Sequence, residues 1–301
     1  MKILQNFWVK TTIDAGRGWV HDKSFRLGAA LAFFSIFSLA PLLLISLGLV
    51  GLFFDPAAAK AELQTELARF VSENAAETMV EIAQQTRRSE HSVWATVLGF
   101  CALIFGATSV FNQMQDSLNY IWGVEGKPDK SLVELVYRRI IALGMILVIG
   151  ALLLISIALS SILSAVWKLI AVNISLPEWA QDSLNVGLSF LIIAALFTVI
   201  FKVMPQALIQ WHYARFGALV TAALFILGKY LLAWYLGRDS LVSAYGAAGA
   251  LVLVLMWIYY SALILFFGAE LTKAYALNSG ATIEPTGRAV KVNRVRVDAE
   301  N

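Results

Sequence analysis

Charged residues are scarce in this chain. Only 14% of the 301 residues are Asp, Glu, Lys or Arg, whereas 59% are hydrophobic. A soluble domain usually contains about 25% charged residues. The chain therefore has too few polar side chains to cover a globule in water, which excludes an ordinary soluble protein and indicates one that is embedded in a membrane.

Cysteine and histidine are also scarce. The single cysteine, Cys101, excludes an intramolecular disulfide and lies inside an apolar run. His21, His91 and His212 are far apart in the sequence, and the charge distribution described below puts His91 across the membrane from the other two. This separation excludes a histidine metal site shared within one chain.

Sequence motifs of nucleotide binding and of serine hydrolases are absent as well. The chain has no phosphate-binding glycine loop and no Gly-x-Ser-x-Gly turn. We therefore expect no cofactor, no metal, no enzymatic activity and no nucleic-acid partner.

Long apolar runs are what the chain has in abundance. A helix needs about 20 apolar residues to cross the roughly 30 Å hydrocarbon core of a bilayer. Six runs meet this length: Leu27–Phe54, Val93–Gln115, Ile140–Trp167, Val186–Met204, Gly217–Leu236 and Ala247–Phe267. They lack the alternation of barrel strands, so the sequence predicts an all-α, polytopic membrane protein with six transmembrane helices. The first run is too long for the apolar part of a cleavable signal peptide.

The 23 lysines and arginines are distributed unevenly between the connections. Six lie in the first, third and fifth connections, and Lys229 lies inside a span. The others lie in the two termini and in the second and fourth connections. Because short loops rich in Lys and Arg remain on the cytoplasmic side, both termini are predicted to be cytoplasmic.

Three regions follow from this topology. Residues 1–26 form a cytoplasmic N-terminal segment, residues 27–275 form the six-helix transmembrane domain, and residues 276–301 form a basic cytoplasmic tail. We expect the tail to be poorly ordered. Its basic residues either contact anionic lipid headgroups or only set the topology, and the sequence leaves the oligomeric state open.

The first outer connection, residues 55–92, is the longest loop. Asp55 and Pro56 are typical of a helix start. Apolar residues then recur at helical spacing: Leu63, Leu67, Val71, Ala75, Met79 and Ile82. One or two amphipathic helices are predicted here, which either cap the bundle or offer a docking face to a partner.

Two residues stand out inside the spans. Pro41 lies mid-span in the first helix, where proline kinks a helix, and it is a candidate hinge. Lys229 lies about 4 Å from the middle of the fifth span, and its side chain reaches about 6 Å, which is too short to arrive at the interface some 11 Å away. Such a lysine indicates an interior cavity or a partner. If the span instead begins nearer Tyr213, the side chain almost reaches the interface by snorkelling, and the sequence leaves these alternatives open.

Polar residues collect near the inner ends of two spans. Asn112, Asp116 and Asn119 share one face of the second helix, where they either line a polar vestibule or form an interfacial turn. Glu270 ends the last helix, as a structural ion pair or an ion-coupling site. Tyr259 and Tyr260 lie mid-span and need polar partners, so they either line a pathway or pack.

Small residues spaced by four allow helix backbones to approach closely. The last span opens with such residues at 246–250, and Gly217 and Thr221 have this spacing in the fifth. We interpret both as packing positions.

Several segments resemble the YihY/BrkB family of bacterial inner-membrane proteins. The resemblance is carried by residues 29–42, by residues 105–124, by Tyr245–Ala250, by Trp257–Ala262 and by Gly268–Thr272. It implies six helices and an inner-membrane location, and it covers about Arg26 to Tyr275.

The resemblance implies no substrate and no catalytic residue. A ribonuclease BN label carried by members of the family gains no support here, because no acidic or histidine cluster is present. Two hypotheses remain: a transporter or exporter of an organic anion or a lipid, and a non-transporting envelope-support or scaffold protein.

Overall fold

The structure is a computed structural model, and helix is its dominant element. It describes residues 7–36, 55–70, 73, 76–77, 79–81, 93–127, 140–141, 144–145, 147–152, 154–156, 158–159, 178–236 and 249–292. The candidate hinge Pro41 lies outside these residues, as do parts of the predicted spans Leu27–Phe54 and Ile140–Trp167.

The helices that the structure describes are numbered in chain order. They are α1 (Phe7–His21), α2 (Ser24–Ile36), α3 (Pro56–Phe70), α4 (Val93–Trp122), α5 (Leu147–Ser156), α6 (Glu178–Val203), α7 (Trp211–Leu236) and α8 (Gly249–Asn278). Residues 76–77 and 79–81 are also helical.

Three helical segments are long and apolar enough to cross a membrane. They are Ser183–Val203, Trp211–Leu232 and Val254–Asn278, and each overlaps a span that the sequence predicts. The all-α membrane class is confirmed by these segments. The short apolar helix α2 overlaps the start of the predicted span Leu27–Phe54, and α5 falls within the predicted span Ile140–Trp167.

Small residues let α7 and α8 pack closely against each other. The two helices are antiparallel, and each carries a glycine followed four residues later by a threonine. A Cβ atom at Gly217 would overlap Thr272 Oγ1, and one at Gly268 would overlap Thr221 Oγ1. Each threonine donates its hydroxyl to the glycine carbonyl of its own helix, at 2.6 and 2.7 Å. The close packing predicted at Gly217 is confirmed.

Helix α1 packs lengthwise on the C-terminal half of α8. Its residues Thr11, Ala15 and Gly18, and Asp22 directly after its end, recur every three or four positions and therefore lie on one side of α1. Thr11 and Ala15 are buried, and Asn278 of α8 donates to Thr11 and to Asp14 at 3.2 and 3.1 Å.

A tight turn joins α1 to α2. Lys23 has a left-handed backbone conformation with φ 55°, and the chain then continues into α2 beside α8, where a Cβ atom at Gly28 would lie 3.2 Å from Leu263. We call α1, this turn and the start of α2 the elbow, residues 7–28.

A small polar cap closes the end of the bundle at which α4, α6 and α8 finish. Strands β1 (Val124–Gly126) and β2 (Ala289–Lys291) pair antiparallel, with Glu125 opposite Val290. The α6–α7 loop joins the same segment, because Leu208 donates its backbone N–H to Glu284 at 2.8 Å and Ala207 bridges to Pro285.

This cap changes the expectation for the C-terminal tail. The sequence predicts poor order from residue 276, but α8 continues to Asn278 and the chain is structured as far as Val292. The reason is pairing with distant segments: Lys127 donates its side-chain ammonium to the carbonyl of Gly287 at 2.9 Å, and Val292 donates its backbone N–H to the carbonyl of Gly123 at 2.9 Å.

Candidate functional site

A cavity lies beside α3, at the end of the bundle opposite the polar cap. Its volume is about 680 Å³, and it is open on one side. Helices α3, α6 and α7 and the helical residues after α3 line it: Ala61, Gln64, Thr65, Ala68, Glu73, Glu77, Asn185, Val186, Ser189, Ile226, Lys229 and Tyr230. We call it the Lys229 pocket.

The ammonium group of Lys229 points to the C-terminal end of α3. Its Nζ donates to the carbonyl of Ala68 at 2.8 Å, two residues before α3 ends at Phe70. The last carbonyls of a helix lack intrahelical partners and form its negative end, so a lysine is well placed there. The side chain is half-buried, and its charge is compensated by this contact with α3.

An apolar contact holds α3 against the bundle, and α3 thereby forms one wall of the Lys229 pocket. Leu63 is completely buried and packs in one cluster with Leu232 of α7 and Trp257 of α8. The helical residues Ala76 and Met79 belong to the same cluster. The apolar face of α3 is thereby used inside the chain.

The two tyrosines of α8 pack against glycines. Tyr259 lies against Gly28 of α2, where a Cβ atom would be 3.4 Å from its ring, and the hydroxyl of Tyr260 occupies the space that a Cβ atom at Gly228 would need. Neither tyrosine is among the residues that line the Lys229 pocket.

The polar stripe on α4 lies at the other end of the bundle, and its three residues have different surroundings. Asn119 is buried, Asn112 is half-buried and Asp116 is exposed. Asn119 accepts the backbone N–H of Gln206 at 2.7 Å and donates to the Gln206 side chain at 3.4 Å. The stripe therefore positions the α6–α7 loop through Asn119, and it does not meet Lys229.

Replacing Asn119 by alanine should loosen the α6–α7 loop. The buried N–H of Gln206 would lose its acceptor, which typically costs about 1–3 kcal/mol. We expect a lower midpoint of thermal unfolding and faster amide hydrogen exchange at residues 204–208. The matched change Asn112→Ala removes the same side chain from a half-buried position, and equal effects of the two changes would contradict this role.

Glu270 belongs to a third cluster, where α8 meets the elbow. It is 2% exposed. Lys273 Nζ lies 3.3 Å from Glu270 Oε2 and 3.3 Å from Asp22 Oδ2. The structure therefore pairs Glu270 with Lys273 of its own helix, and through this ammonium with a carboxylate of the elbow.

The surroundings of Asp22 keep it ionised. Burial alone would raise its pKa, but a hydrogen bond from Glu270, a hydrogen bond from His21 and the charge of Lys273 together lower the pKa below the ordinary value of 3.8. Ionised Asp22 therefore stabilises the folded protein at pH values above this ordinary pKa. The stabilisation is lost in stronger acid, as the pH falls through the lowered pKa.

Sequence reasoning missed Asp22, Gly18, Gln115 and Gln206. Gln115 donates to the carbonyl of Met204 at 2.9 Å, and Gln206 pairs with Asn119. The spacing of Thr11, Ala15, Gly18 and Asp22 could have indicated a helix face, but small and polar residues give no apolar periodicity. Within the described residues, no group of three or more His, Cys, Asp or Glu side chains could hold a metal ion.

Long apolar helices that pack through small residues define an α-helical integral membrane protein. Residues 15–293 match the family described as Virulence factor BrkB. The chain belongs to this family, so the resemblance seen in the sequence is confirmed. No solved structure matches.

Curated relatives are named UPF0761 membrane protein. One from Stenotrophomonas maltophilia is 25% identical over 90% of this chain and 64% of its own length, so this relative extends beyond the matched region. Others are 28% identical in Aeromonas salmonicida, over 84% of each chain, and 29% identical in Photobacterium profundum, over 90% of this chain and 84% of the relative.

Proposed function

We propose that the chain crosses the bacterial inner membrane six times and has both termini in the cytoplasm. The three described spans support this count, as does the overlap of α2, α4 and α5 with the three further predicted spans. The polar cap holds Lys127, Lys202 and Arg288, and the elbow adds more basic residues. Such residues are enriched on the cytoplasmic side.

Within this topology the protein moves an organic anion or a lipid across the membrane. The observation that carries the proposal is a half-buried lysine ammonium in a cavity of about 680 Å³, which the exposed side chains of Glu73 and Glu77 also line. Lys229 lies near the end of the described span Trp211–Leu232, closer to the membrane surface than the sequence predicts, and an ionisable residue within a transmembrane helix usually marks a pathway or a binding site. No catalytic role is assigned to any residue.

The lining of the pocket favours an amphipathic substrate. Ile226, Val186 and the ring of Tyr230 offer apolar surface, while Asn185 and Ser189 offer hydrogen bonds. Ligand sites typically combine a mainly apolar wall with a few polar groups that fix orientation. An anionic group of the substrate would exchange with the carbonyl of Ala68 as the partner of Lys229.

The contact between Lys229 and α3 suggests how binding is linked to movement. If a substrate anion takes over the ammonium, α3 loses its hydrogen bond at Ala68 and remains held through Leu63. Helix α3, which forms this wall of the pocket, is then the element that moves to open it. The buried apolar face of α3 also argues against its use as a partner-docking surface, so transport is favoured over scaffolding.

Flux measurements in vesicles test the proposal. Lys229→Met should reduce efflux of amphipathic organic anions about tenfold or more, because one lost charge-assisted contact is worth about 1.5–3 kcal/mol. Lys229→Arg keeps the charge and should retain part of the flux. Lys10→Met removes an exposed charge of α1 and serves as the control. Unchanged flux in Lys229→Met would refute the assignment of this pocket.

A further inference from the structure

The cluster of Glu270, Asp22 and Lys273 has an unequal number of acidic and basic groups. One ammonium lies 3.3 Å from an oxygen of each carboxyl group. If both carboxyl groups are ionised, the cluster has a net charge of −1. The side chains of Glu270, Asp22 and Lys273 are 2%, 12% and 24% exposed, so water screens this charge poorly.

Glu270 is the least compensated member. Its Oε1 atom is buried and has no hydrogen-bond partner among the described residues. The neighbours of its carboxyl group are the shared ammonium of Lys273, at a long distance of 3.3 Å from Oε2, and the carboxyl group of Asp22, which offers no donor proton when both groups are ionised. An ionised carboxylate that is removed from water normally needs several donors, and leaving an oxygen without one is costly. The geometry therefore disfavours the ionised form of Glu270.

The elbow is in close contact with this carboxyl group. A Cβ atom on Gly18 would lie 2.5 Å from Glu270 Oε2 and 3.3 Å from Oε1. The absence of a side chain at position 18 lets the backbone of α1 cover the carboxyl group. Trp19 extends the same contact, because its indole N–H donates to the carbonyl of Leu263 at 3.1 Å.

The other elements around the cluster supply little charge. On the elbow, Asp22 Oδ1 lies 2.9 Å from His21 Nδ1, and the imidazole ring is 72% exposed. On α7, the residues that meet this part of α8 include Phe216, Gly217, Val220 and Thr221, which do not titrate, and Tyr213, which contacts the ring of Tyr275 further along α8. The protonation state of Glu270 is therefore decided by Asp22 and Lys273, with His21 acting through Asp22.

A single added proton makes the group of three neutral. On Glu270 it forms an O–H that donates to the Asp22 carboxylate, while Lys273 stays paired with both side chains. Two neighbouring carboxyl groups that share one proton are a general solution where like charges are close together. We infer that Glu270 and Asp22 form a binding site for one exchangeable proton, which joins the elbow to α8.

Release of this proton would weaken the junction. Two carboxylates and one ammonium would then face each other with little water, and the like charges of Asp22 and Glu270 would repel. Separation of the elbow from α8 would hydrate Glu270 and relieve the repulsion. The site thus makes the contact between α1 and α8 depend on proton binding, and this inference does not rest on the proposed transport.

Infrared spectroscopy of the purified full-length protein in nanodiscs tests the inference. Protonated carboxyl groups have a carbonyl stretching band that is separate from the bands of carboxylates. At neutral pH we expect this band in the wild type, its loss in Glu270→Gln, and its retention in Glu284→Gln, which changes an exposed glutamate of the polar cap.

Two further variants distinguish proton binding from a purely structural role. Asp22→Asn removes the neighbouring negative charge, so the band should disappear at a lower pH than in the wild type. Lys273→Met removes the positive charge, so the band should persist to a higher pH. These opposite shifts keep the test valid if Glu270→Gln does not fold.

Three results would overturn the inference. They are a wild-type spectrum without the protonated carboxyl band at neutral pH, a band that survives Glu270→Gln, and shifts in the same direction for Asp22→Asn and Lys273→Met. Because the infrared band reports proton binding directly, this test is independent of the flux through the Lys229 pocket.

Discussion

Leucine in place of Gly268 is expected to force α7 and α8 apart. Even a Cβ atom at this position would overlap Thr221 Oγ1, and it would lie 2.9 Å from Thr221 Cβ and Cγ2. Thr221 cannot turn away freely, because it is completely buried and its hydroxyl is bonded to the carbonyl of Gly217 at 2.6 Å. Overpacking of a well-packed site typically costs about 1–3 kcal/mol and occasionally more.

Thermal unfolding of the purified protein measures this effect. The control is Gly187→Leu on α6, where nothing lies within 4 Å of an added Cβ atom. Combining Gly268→Ala with Thr221→Gly should recover part of the loss caused by Gly268→Ala alone, since it returns space to the interface. Equal unfolding midpoints for Gly268→Leu and Gly187→Leu would show that the helices do not depend on this contact.

Truncation of Leu63 to alanine is expected to release α3. Leu63 is completely buried between α7 and α8, and deleting a buried leucine side chain costs about 2–5 kcal/mol. Since α3 also receives the hydrogen bond of Lys229 at Ala68, its release removes one wall of the Lys229 pocket. Cleavage by protease within residues 56–70 should become faster, and the midpoint of thermal unfolding should fall.

The control for this change is Leu227→Ala on α7. That leucine is 57% exposed, so its truncation leaves no cavity between helices. Protease resistance of residues 56–70 that is the same in Leu63→Ala and in the wild type would mean that α3 is held by other contacts.

The membrane-spanning helices were the part of the fold that the sequence could predict best. Crossing a bilayer requires about 20 apolar residues in a row, and this requirement acts on consecutive residues. The predicted span Val186–Met204 accordingly differs little from the described segment Ser183–Val203. Helix α7 begins earlier than its span, at Trp211, because its first residues are polar and hydropathy does not register them.

Helix α1 and the cap were not predicted, for a different reason. Their stability comes from contacts between residues that are far apart in the sequence, such as Asn278 with Asp14 and Lys127 with Gly287. The polar and basic composition of the tail predicts disorder, yet its backbone groups pair with β1 and with the α6–α7 loop. No local pattern records such pairing.

The candidate site residues show the same division. Lys229, Asn119 and Glu270 were noticed because polar groups are expensive inside a membrane. Their partners, Ala68, Gln206 and Asp22, came only from the structure. Ala68 contributes a backbone carbonyl, which no side-chain pattern can reveal.

The sequence by itself determined the class of protein, the positions of its main spans and the family, because hydrophobic length and motif depend on consecutive residues. Tertiary structure decided which polar groups meet. It separated Lys229 and the Asn112–Asn119 stripe to opposite ends of the bundle, and it brought Glu270 to Asp22 across nearly the whole chain. These pairings depend on how α1, α3 and α8 pack, and packing is settled in three dimensions.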